Sequence, residues 1–458
     1  MLREFFPKVL TLQMLRHCSD DQKLRIVLAL GIVTRIIVFI FQHPFNNDNH
    51  FRYIYDIFTK HSIPISIEHG QAYHPPLYYV LASLFLYLGD AKIVQVFSLV
   101  LSIATLFIYY FLIKNLYFIR PFTTKKYCLM LVGLLPQFIM FGNYVSNDTL
   151  TFFIGSLISL QVFNYINNPC FRSQNILALY LGLGLLTKAT FLAFIPVLLF
   201  LIIIIKIRQR ISPSKIIAYL LIFGLMFSLI GSYKFVQNQI YLSKPFYNNL
   251  DSNEPWLKKQ KPTYIGLKSI YDINLVKLVS YPTITPHTSH SYPLLLYGTF
   301  WYQYIPESNF KGNRSPLKYL GSFIYIVAVV PTLIFFVGFL RVIYSGHKLL
   351  SYRRLSKIYF NKLLYEIILV GLLMMNILMV VSVGVKYDVT SVFQSRSFFP
   401  SFGGIIIIFS SGLNLLKRYK KIKPLIFGSL NCLFILFLVY FITEIGYLIF
   451  SKTFWGSS

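Results

Sequence analysis

The stretch that follows the first apolar segment concentrates side chains able to do chemistry. Asp48 and His50 open it, Tyr53 follows, and His74 and Tyr78 lie on either side of a Pro-Pro pair. A carboxylate at a membrane boundary can act as a general base on an acceptor hydroxyl or amine, with a pKa set by burial and neighbours. The prolines fix an extended turn that would aim His74 and Tyr78 toward the headgroup layer. A solvated loop carboxylate and an interfacial aromatic belt are the alternatives.

Three more ionisable residues stand where apolar segments begin or end. Asp148 occurs in Ser-Asn-Asp-Thr, a sequence that could also cap a helix. Lys188 interrupts an apolar stretch, and its simplest interpretation is a lysine that extends its amine to the boundary. Arg396 precedes a further apolar segment. Lysine binds phosphate as a point charge and arginine binds it by paired hydrogen bonds, so Lys188 and Arg396 together suit a lipid phosphate.

Arg35 and Glu444 lie within long apolar segments. A charge inside the bilayer is costly, so we expect both side chains to face the interior of the protein. Pairing with polar groups there is the simplest interpretation. Arg35 is also a candidate for binding substrate.

The composition indicates a membrane protein that crosses the bilayer many times. Of the 458 residues, 56% are hydrophobic and 13% are charged, about half the usual charged share of a soluble domain. We predict an all-α fold. Residues 76–88 are apolar but short, which suits a re-entrant or juxtamembrane helix. Eleven other segments are candidates for crossing, at about 24–42, 92–114, 127–144, 149–166, 174–187, 190–206, 215–236, 319–343, 363–385, 399–416 and 424–450.

The basic residues indicate which ends of these segments face the cytoplasm. If 76–88 does not cross and the N-terminus is inside, the cytoplasmic connections hold more than half of the 43 lysines and arginines but only four of the 15 acidic residues. The net charge of +28 then reflects orientation and contact with anionic membrane lipids, and we expect no nucleic-acid partner. Asp48, Asp148, Lys188 and Arg396 all fall on the extracytoplasmic face in this topology, where they could line one hollow.

Short motifs recur in an order known from one family of enzymes. They are Asp48-x-His50, Tyr73-His-Pro-Pro-Leu-Tyr-Tyr79, Ser146-Asn-Asp148, Gly182-Leu-Gly-Leu-Leu-Thr-Lys188 and Gln394-x-Arg396-x-x-x-Pro400. Together they resemble the GT-C-fold glycosyltransferases of the protein O-mannosyltransferase and aminoarabinose-transferase type. The likeness covers residues 20–210 and then the Arg396 segment. The sequence departs from the family pattern at Asn49, where glutamate is common, and at Ser397, where tyrosine is common.

The resemblance implies a GT-C-like bundle of about eleven transmembrane helices in three parts. A catalytic transmembrane module, 1–236, would contain a first outer loop, 43–91; an extracytoplasmic cap, 237–318, and the C-terminal transmembrane helices, 319–458, would follow. Asp48 and Asp148 would be catalytic. Substrate would be bound by the remaining candidates, which are His50, Tyr53, His74, Tyr78, Lys188, Arg396 and Arg35.

The implied reaction is inverting transfer of a sugar from a polyprenyl-phosphate donor to a lipid, glycan or protein acceptor. Lys188 and Arg396 would hold the donor phosphate, Asp48 would activate the acceptor, and Trp256 and Trp301 in the cap could contact sugar rings. No cofactor is expected to be required, although a divalent metal stays an option. We place the chain in a bacterial inner membrane. A lipid-linked oligosaccharide polymerase or ligase and a secondary transporter are the alternatives.

Overall fold

The computed structural model describes residues 19–44, 49–119, 121–248, 268–282, 291–302, 315–351, 355–387 and 394–455, and every regular element in these ranges is helical. Asp48 and Trp256 lie outside the described residues. Three 3-10 helices cover Leu84–Leu88, Ala189–Phe194 and Ser395–Ser401. The α-helices in chain order are α1 (Asp20–Phe41), α2 (His50–Lys60), α3 (Leu77–Ser83), α4 (Ala91–Asn115), α5 (Phe122–Leu134), α6 (Pro136–Asn143), α7 (Asn147–Asn167), α8 (Phe171–Leu185), α9 (Ile195–Arg208), α10 (Pro213–Gly231), α11 (Tyr233–Leu242), α12 (Lys268–Tyr271), α13 (Leu275–Ser280), α14 (Tyr292–Trp301), α15 (Ser315–Ser351), α16 (Lys357–Tyr387), α17 (Phe402–Leu416) and α18 (Lys423–Trp455).

The helices confirm the predicted all-α, multi-pass architecture but divide it differently. Within the described ranges, nine helices are long and apolar enough to cross a membrane, against eleven segments predicted. The predicted segment 127–144 is split, because Pro136 lacks an amide hydrogen and begins α6 after a residue in extended conformation. The predicted segment 174–187 corresponds to α8, which has only 15 residues.

The segment predicted not to cross is a short apolar helix. It consists of the seven residues of α3 and the five of the 3-10 helix that follows, about 20 Å in all. The hydrocarbon layer is about 30 Å thick, so this segment cannot cross it upright. The first outer loop therefore begins and ends at the same end of the bundle.

Arg35 ties three helices together. Its Nε donates to the hydroxyl of Ser102, 3.0 Å away, on α4. Its terminal nitrogens donate to the carbonyls of Gly31, Gly133 and Val132 at 2.9 to 3.0 Å, on α1 and α5. The side chain faces the interior, as the sequence predicts, and three of its four hydrogen bonds join α1 to α4 and α5. Glu444 is also buried, against a cavity beside α1 and α6.

Close helix contacts set the geometry around α7. A side-chain carbon added at Gly155 would lie 2.1 Å from the carbonyl oxygen of Pro400, so only glycine lets the 3-10 helix Ser395–Ser401 approach α7 this closely. α7 also packs against α4, α8 and α16. The N-terminal end of α7 and the segment that carries Arg396 are thereby held side by side.

Candidate active site

Asp148, Lys188 and Arg396 meet at one end of the bundle and are called the ion triad below. The Lys188 ammonium pairs with Oδ1 of Asp148, and Nη1 of Arg396 lies 3.3 Å from Oδ2. The carboxylate is 2% exposed, and both cations are largely buried. Three residues from separate connections therefore form one buried cluster in which two cations share one carboxylate.

Asp148 stands in the first turn of α7 but is not the residue that caps it. The cap is Ser146, whose hydroxyl accepts from the Asp148 amide at 3.3 Å. The Asp148 carboxylate is thus left to bind the two cations. Its location in the first turn of a helix, near the positive end of the helix dipole, favours the ionised form.

The turn after α8 positions Lys188. Its amide donates to the carbonyl of Gly184 at 2.8 Å, and its backbone is extended before the 3-10 helix begins. Asn147, next to the triad carboxylate, donates from its side-chain amide to the carbonyl of Thr187 at 3.4 Å. The carbonyl of Leu186 accepts from the amide of Leu77 at 2.9 Å, which joins this turn to α3.

The 3-10 helix Ser395–Ser401 positions Arg396. Asn376 on α16 donates to the carbonyl of Ser397 at 3.3 Å, and the amide of Ser395 donates to the hydroxyl of Thr299 at 2.9 Å. Thr299 lies on α14, within the predicted cap, so this part of the cap touches the segment that carries the triad arginine. The guanidinium lies 4.2 Å from the ring centre of Phe141, close enough for a cation–π contact.

The first outer loop lies at the same end of the bundle as the triad. His50 Nε2 is 3.4 Å from the hydroxyl of Ser146, two residues from the triad carboxylate. Its Nδ1 is 2.7 Å from the hydroxyl of Tyr79, and its ring stacks on that of His74 with centres 5.6 Å apart. The carbonyl of Pro44 accepts from the amide of Val145 at 2.9 Å. Described residues on both sides of the segment that contains Asp48 therefore contact the chain just before α7.

A layer of buried rings supports this histidine pair. Tyr53 stacks on Tyr79 with ring centres 4.0 Å apart and donates to the carbonyl of His74 at 3.3 Å. The hydroxyl of Tyr78 does not reach the histidine pair; it lies 3.0 Å from the hydroxyl of Ser98 on α4 and also bonds to the backbone of Ser146. All three phenols are fully buried, and burial raises their pKa values, so they remain protonated.

Burial keeps one of the two histidines neutral. The pKa of His74 lies well below its usual value, chiefly because the ring is desolvated and secondarily because His50, Lys188 and Arg396 place positive charge nearby. A neutral imidazole retains an acceptor nitrogen beside the cationic end of the site.

α11 anchors the outer part of the loop. The Lys234 amine donates to the carbonyl of Pro64 at 2.9 Å and to Oε1 of Gln237 at 2.6 Å. Gln237 donates to the carbonyl of Ile63 at 3.2 Å. Burial lowers the pKa of Lys234 to about 7. A neutral amine has two N–H donors, and both find an acceptor here.

The structure brings together most of the predicted site residues. Asp148, Lys188 and Arg396 form the triad, and His50, Tyr53 and His74 adjoin it. Tyr78 and Arg35 are buried but bond to α4 or to backbone carbonyls instead. Trp301 is a core residue whose indole N–H donates to Thr332 at 2.9 Å, so its ring does not offer a face to a sugar. The sequence analysis missed Tyr79, Phe141 and Ser146, although Tyr79 and Ser146 stand within the motifs it used.

A large cavity lies on the far side of α3 from the triad. Its volume is about 1140 Å³, and its walls come from α2, α3, the 3-10 helix after α3, α10 and α11. Most of its lining side chains are apolar, among them Ile57, Leu84, Leu229 and Ile240. Val80 and Ser83 face this cavity, whereas Tyr79 on the same helix faces His50. One short helix therefore separates a polar site from an apolar cavity.

The described part of the chain contains no group of three or more His, Cys, Asp or Glu side chains arranged to hold an ion. Asp48 is outside that part, so the need for a metal remains a matter of prediction.

Two solved structures resemble the chain over most of its length. Both are of ArnT from Cupriavidus metallidurans, one in the apo state and one bound to undecaprenyl phosphate. The first is 11% identical, has a TM-score of 0.40 and covers 89% of this chain and 80% of its own. The second is 11% identical, has a TM-score of 0.39 and covers 87% and 79%. No family model and no curated protein matches the chain.

Proposed function

We propose that this protein is an inverting membrane glycosyltransferase of the GT-C type that uses a polyprenyl-phosphate sugar as donor. The observation that carries the proposal is the convergence of Lys188 and Arg396 on Asp148 at the end of the bundle where the first outer loop lies. A reaction at this place would combine a cationic cluster, a histidine pair and an adjoining apolar cavity.

The charge of the ion triad fits a lipid-linked sugar phosphate. Two cations and one carboxylate leave one positive charge in excess, and the donor is a phosphodiester with one negative charge. As the sugar departs, the phosphate gains negative charge, because the leaving group is a phosphomonoester. N–H donors of Lys188 and Arg396 aimed at that oxygen would stabilise the transition state more than the ground state.

The apolar cavity beside α3 suits a hydrocarbon chain. Its size and its mainly aliphatic and aromatic lining are those of sites that bury apolar ligands. A donor whose phosphate reached the triad could place part of its prenyl chain there or between helices. An acceptor lipid is the other candidate occupant.

The acceptor would approach from the first outer loop. We assign Asp48 as the general base, and His50 and His74 as groups that position the acceptor or the sugar through their ring nitrogens. Asp148 would hold Lys188 and Arg396 in place between turnovers. Its catalytic role would thus be indirect, through the two cations that bind the phosphate. The triad end of the bundle would face the extracytoplasmic side, with the N-terminus in the cytoplasm of a bacterial cell.

The two alternatives make different demands on the structure. A secondary transporter binds its solute near the middle of the membrane, among interrupted helices, whereas the triad lies where α7 begins and α8 has ended. A polymerase or ligase would need room for two lipid-linked glycans at the same triad. The donor assay below separates all three.

The direct test is transfer by the purified full-length protein with a panel of polyprenyl-phosphate monosaccharides, read by mass spectrometry. We expect one donor to lose its sugar to an added acceptor, with inversion, and we expect Lys188→Met and Asp48→Asn to abolish transfer. Lys420→Gln, which replaces a lysine at the other end of the bundle, should leave the rate unchanged. Addition and removal of divalent cations in the same assay tests metal dependence. Wild-type rates for Lys188→Met, or uptake of a free solute without transfer, would remove the proposal.

A further inference from the structure

A second cationic site lies at the end of the bundle opposite the ion triad. A cavity of about 500 Å³ is enclosed there by the C-terminal half of α15, the start of α16 and the end of α17. Arg396 lies in the 3-10 helix that leads into α17, and Arg418 lies two residues after α17 ends, so the two sites are separated by about 20 Å along that helix. The cavity is lined by Arg341, Lys348, Lys362, Arg418 and the phenols of Tyr344 and Tyr359.

The positive charge of this cavity is largely uncompensated by protein groups. Lys362 lies 3.8 Å from the carboxylate of Glu366. Among the described residues, Arg341, Lys348 and Arg418 have no carboxylate within ion-pairing distance. Four cations from three separate elements thus face one carboxylate around one cavity, and an anion is the ligand that this arrangement would stabilise.

We propose that this cavity binds the phosphate headgroup of an anionic glycerophospholipid. An exposed apolar stripe begins at the cavity wall with Leu340 and continues along the same face of α15 through Phe336 and Leu333, each at least 50% exposed. The spacing of three and four residues keeps the three side chains in line. Acyl chains attached to a bound phosphate would lie along this stripe, which a soluble phosphate could not use.

The aromatic and cationic side chains of the cavity are arranged as at a membrane boundary. The Lys348 ammonium lies 4.7 Å from the ring centre of Tyr344, and the two phenols are partly exposed. Basic pockets between transmembrane helices recognise lipid headgroups by this combination of charge and interfacial rings. The bound lipid would join α15, α16 and α17 at the end remote from the triad. This inference is independent of the reaction proposed above.

The test measures lipid binding to delipidated full-length protein in detergent by native mass spectrometry, with phosphatidylglycerol, phosphatidylcholine and inorganic phosphate as the three probes. We expect phosphatidylglycerol to bind and the other two not to. The double variant Lys348→Gln, Arg418→Gln should bind it about 25-fold more weakly, since each surface cation contributes about fivefold. The matched control is Lys420→Gln, Lys421→Gln, which removes two cations near the same end that do not line the cavity, and it should bind within about twofold of the wild type.

Four results would overturn the inference. Three of them are equal affinity of the double variant and the wild type, equal loss in the control, and phosphatidylcholine binding as tightly as phosphatidylglycerol. The fourth is displacement of the lipid by millimolar inorganic phosphate, which would show that the cavity takes a soluble anion instead. Thermal unfolding of each variant checks its fold, and either single variant, with an expected fivefold loss, replaces the double variant if that does not fold.

Discussion

Arg35 and Arg396 are both buried arginines, but their surroundings differ in kind. The region around Arg35 offers three backbone carbonyls and one hydroxyl, all neutral and all fixed in helices. The region around Arg396 offers a carboxylate that a second cation shares. The difference suggests a criterion for separating a structural cation from a cation of the proposed phosphate site. An arginine bonded to the backbone of its own bundle holds helices together, whereas one that shares a carboxylate with a lysine can exchange that partner for an incoming phosphate.

Substitution of Arg396 tests the functional half of the comparison. We expect Arg396→Met to lower the rate of sugar transfer about 100- to 1000-fold, the usual effect of removing one donor to a developing charge. Arg396→Lys should recover part of that loss because it restores charge without the paired geometry. The measurement is the single-turnover rate with the donor found in the panel assay. A rate for Arg396→Met within threefold of the wild type would mean that this arginine, like Arg35, has only a structural role.

Substitution of Arg35 tests the structural half. Arg35→Met removes the side-chain donor to the buried carbonyls of Val132 and Gly133 on α5, and we expect a loss of about 3 kcal/mol in the free energy of unfolding. The matched control is Arg25→Met on the same helix, where the ion pair with Asp21 is exposed and screened by solvent, so we expect the free energy of unfolding to stay nearly unchanged. Denaturation in mixed micelles measures both. The fraction of Arg35→Met that folds should transfer sugar at nearly the wild-type rate, and a specific loss of activity would contradict the structural role.

Substitution of Gly155 tests whether the location of Arg396 depends on the close packing of the 3-10 helix against α7. Gly155→Ala introduces a carbon that must push away the Pro400 carbonyl, at a cost of about 2 kcal/mol in stability and with a lower transfer rate. Gly428→Ala is the control, because open space surrounds that helical glycine and alanine favours a helix. Equal stability of the two variants would mean that the 3-10 helix moves without cost.

Lys234 extends the comparison to a third buried basic side chain, one that is bonded only to neutral oxygens. Its pKa of about 7 lies below the ordinary value of 10.5, so between these values the unfolded chain binds a proton that the folded protein does not. Stability should therefore rise with pH, by at most about 1.4 kcal/mol per pH unit. The measurement is the free energy of unfolding of the wild type and of Lys234→Met from pH 7 to pH 9. The value for the wild type should rise relative to that of the variant as the pH increases. A difference that does not change with pH would mean that the folded amine keeps its proton.

The sequence is sufficient to predict the class of fold and much of the site. Long hydrophobic segments indicate which parts of the chain are buried in lipid. The distribution of basic residues between the connections predicts that Asp148, Lys188 and Arg396 lie at one end of the bundle. The break at Pro136 was readable in principle, since proline cannot continue the helix hydrogen bonds. The sequence could not reveal that Tyr79, and not Tyr78, faces His50, because two adjacent residues on a short helix are distinguished only by its rotation.

Trp301 and Arg35 show the same limit of sequence information. Both were candidates by residue type, and each type is compatible with either a core or a site. Their neighbours on other helices are Thr332 for Trp301 and the carbonyls of α5 for Arg35, and these contacts indicate a structural location for both. Such contacts join elements that are distant in sequence, and local composition does not predict them.

The hydrogen bond from the Leu77 amide to the Leu186 carbonyl joins the helix that bears Tyr79 to the turn that bears Lys188. Both of its atoms belong to the main chain, so among substitutions only proline at position 77 deletes it. Side chains of α3 and of this turn can therefore change while the main-chain link between them is kept. Under the proposed function, acceptor selectivity and phosphate binding are mechanically linked, yet substitutions can alter one without the other.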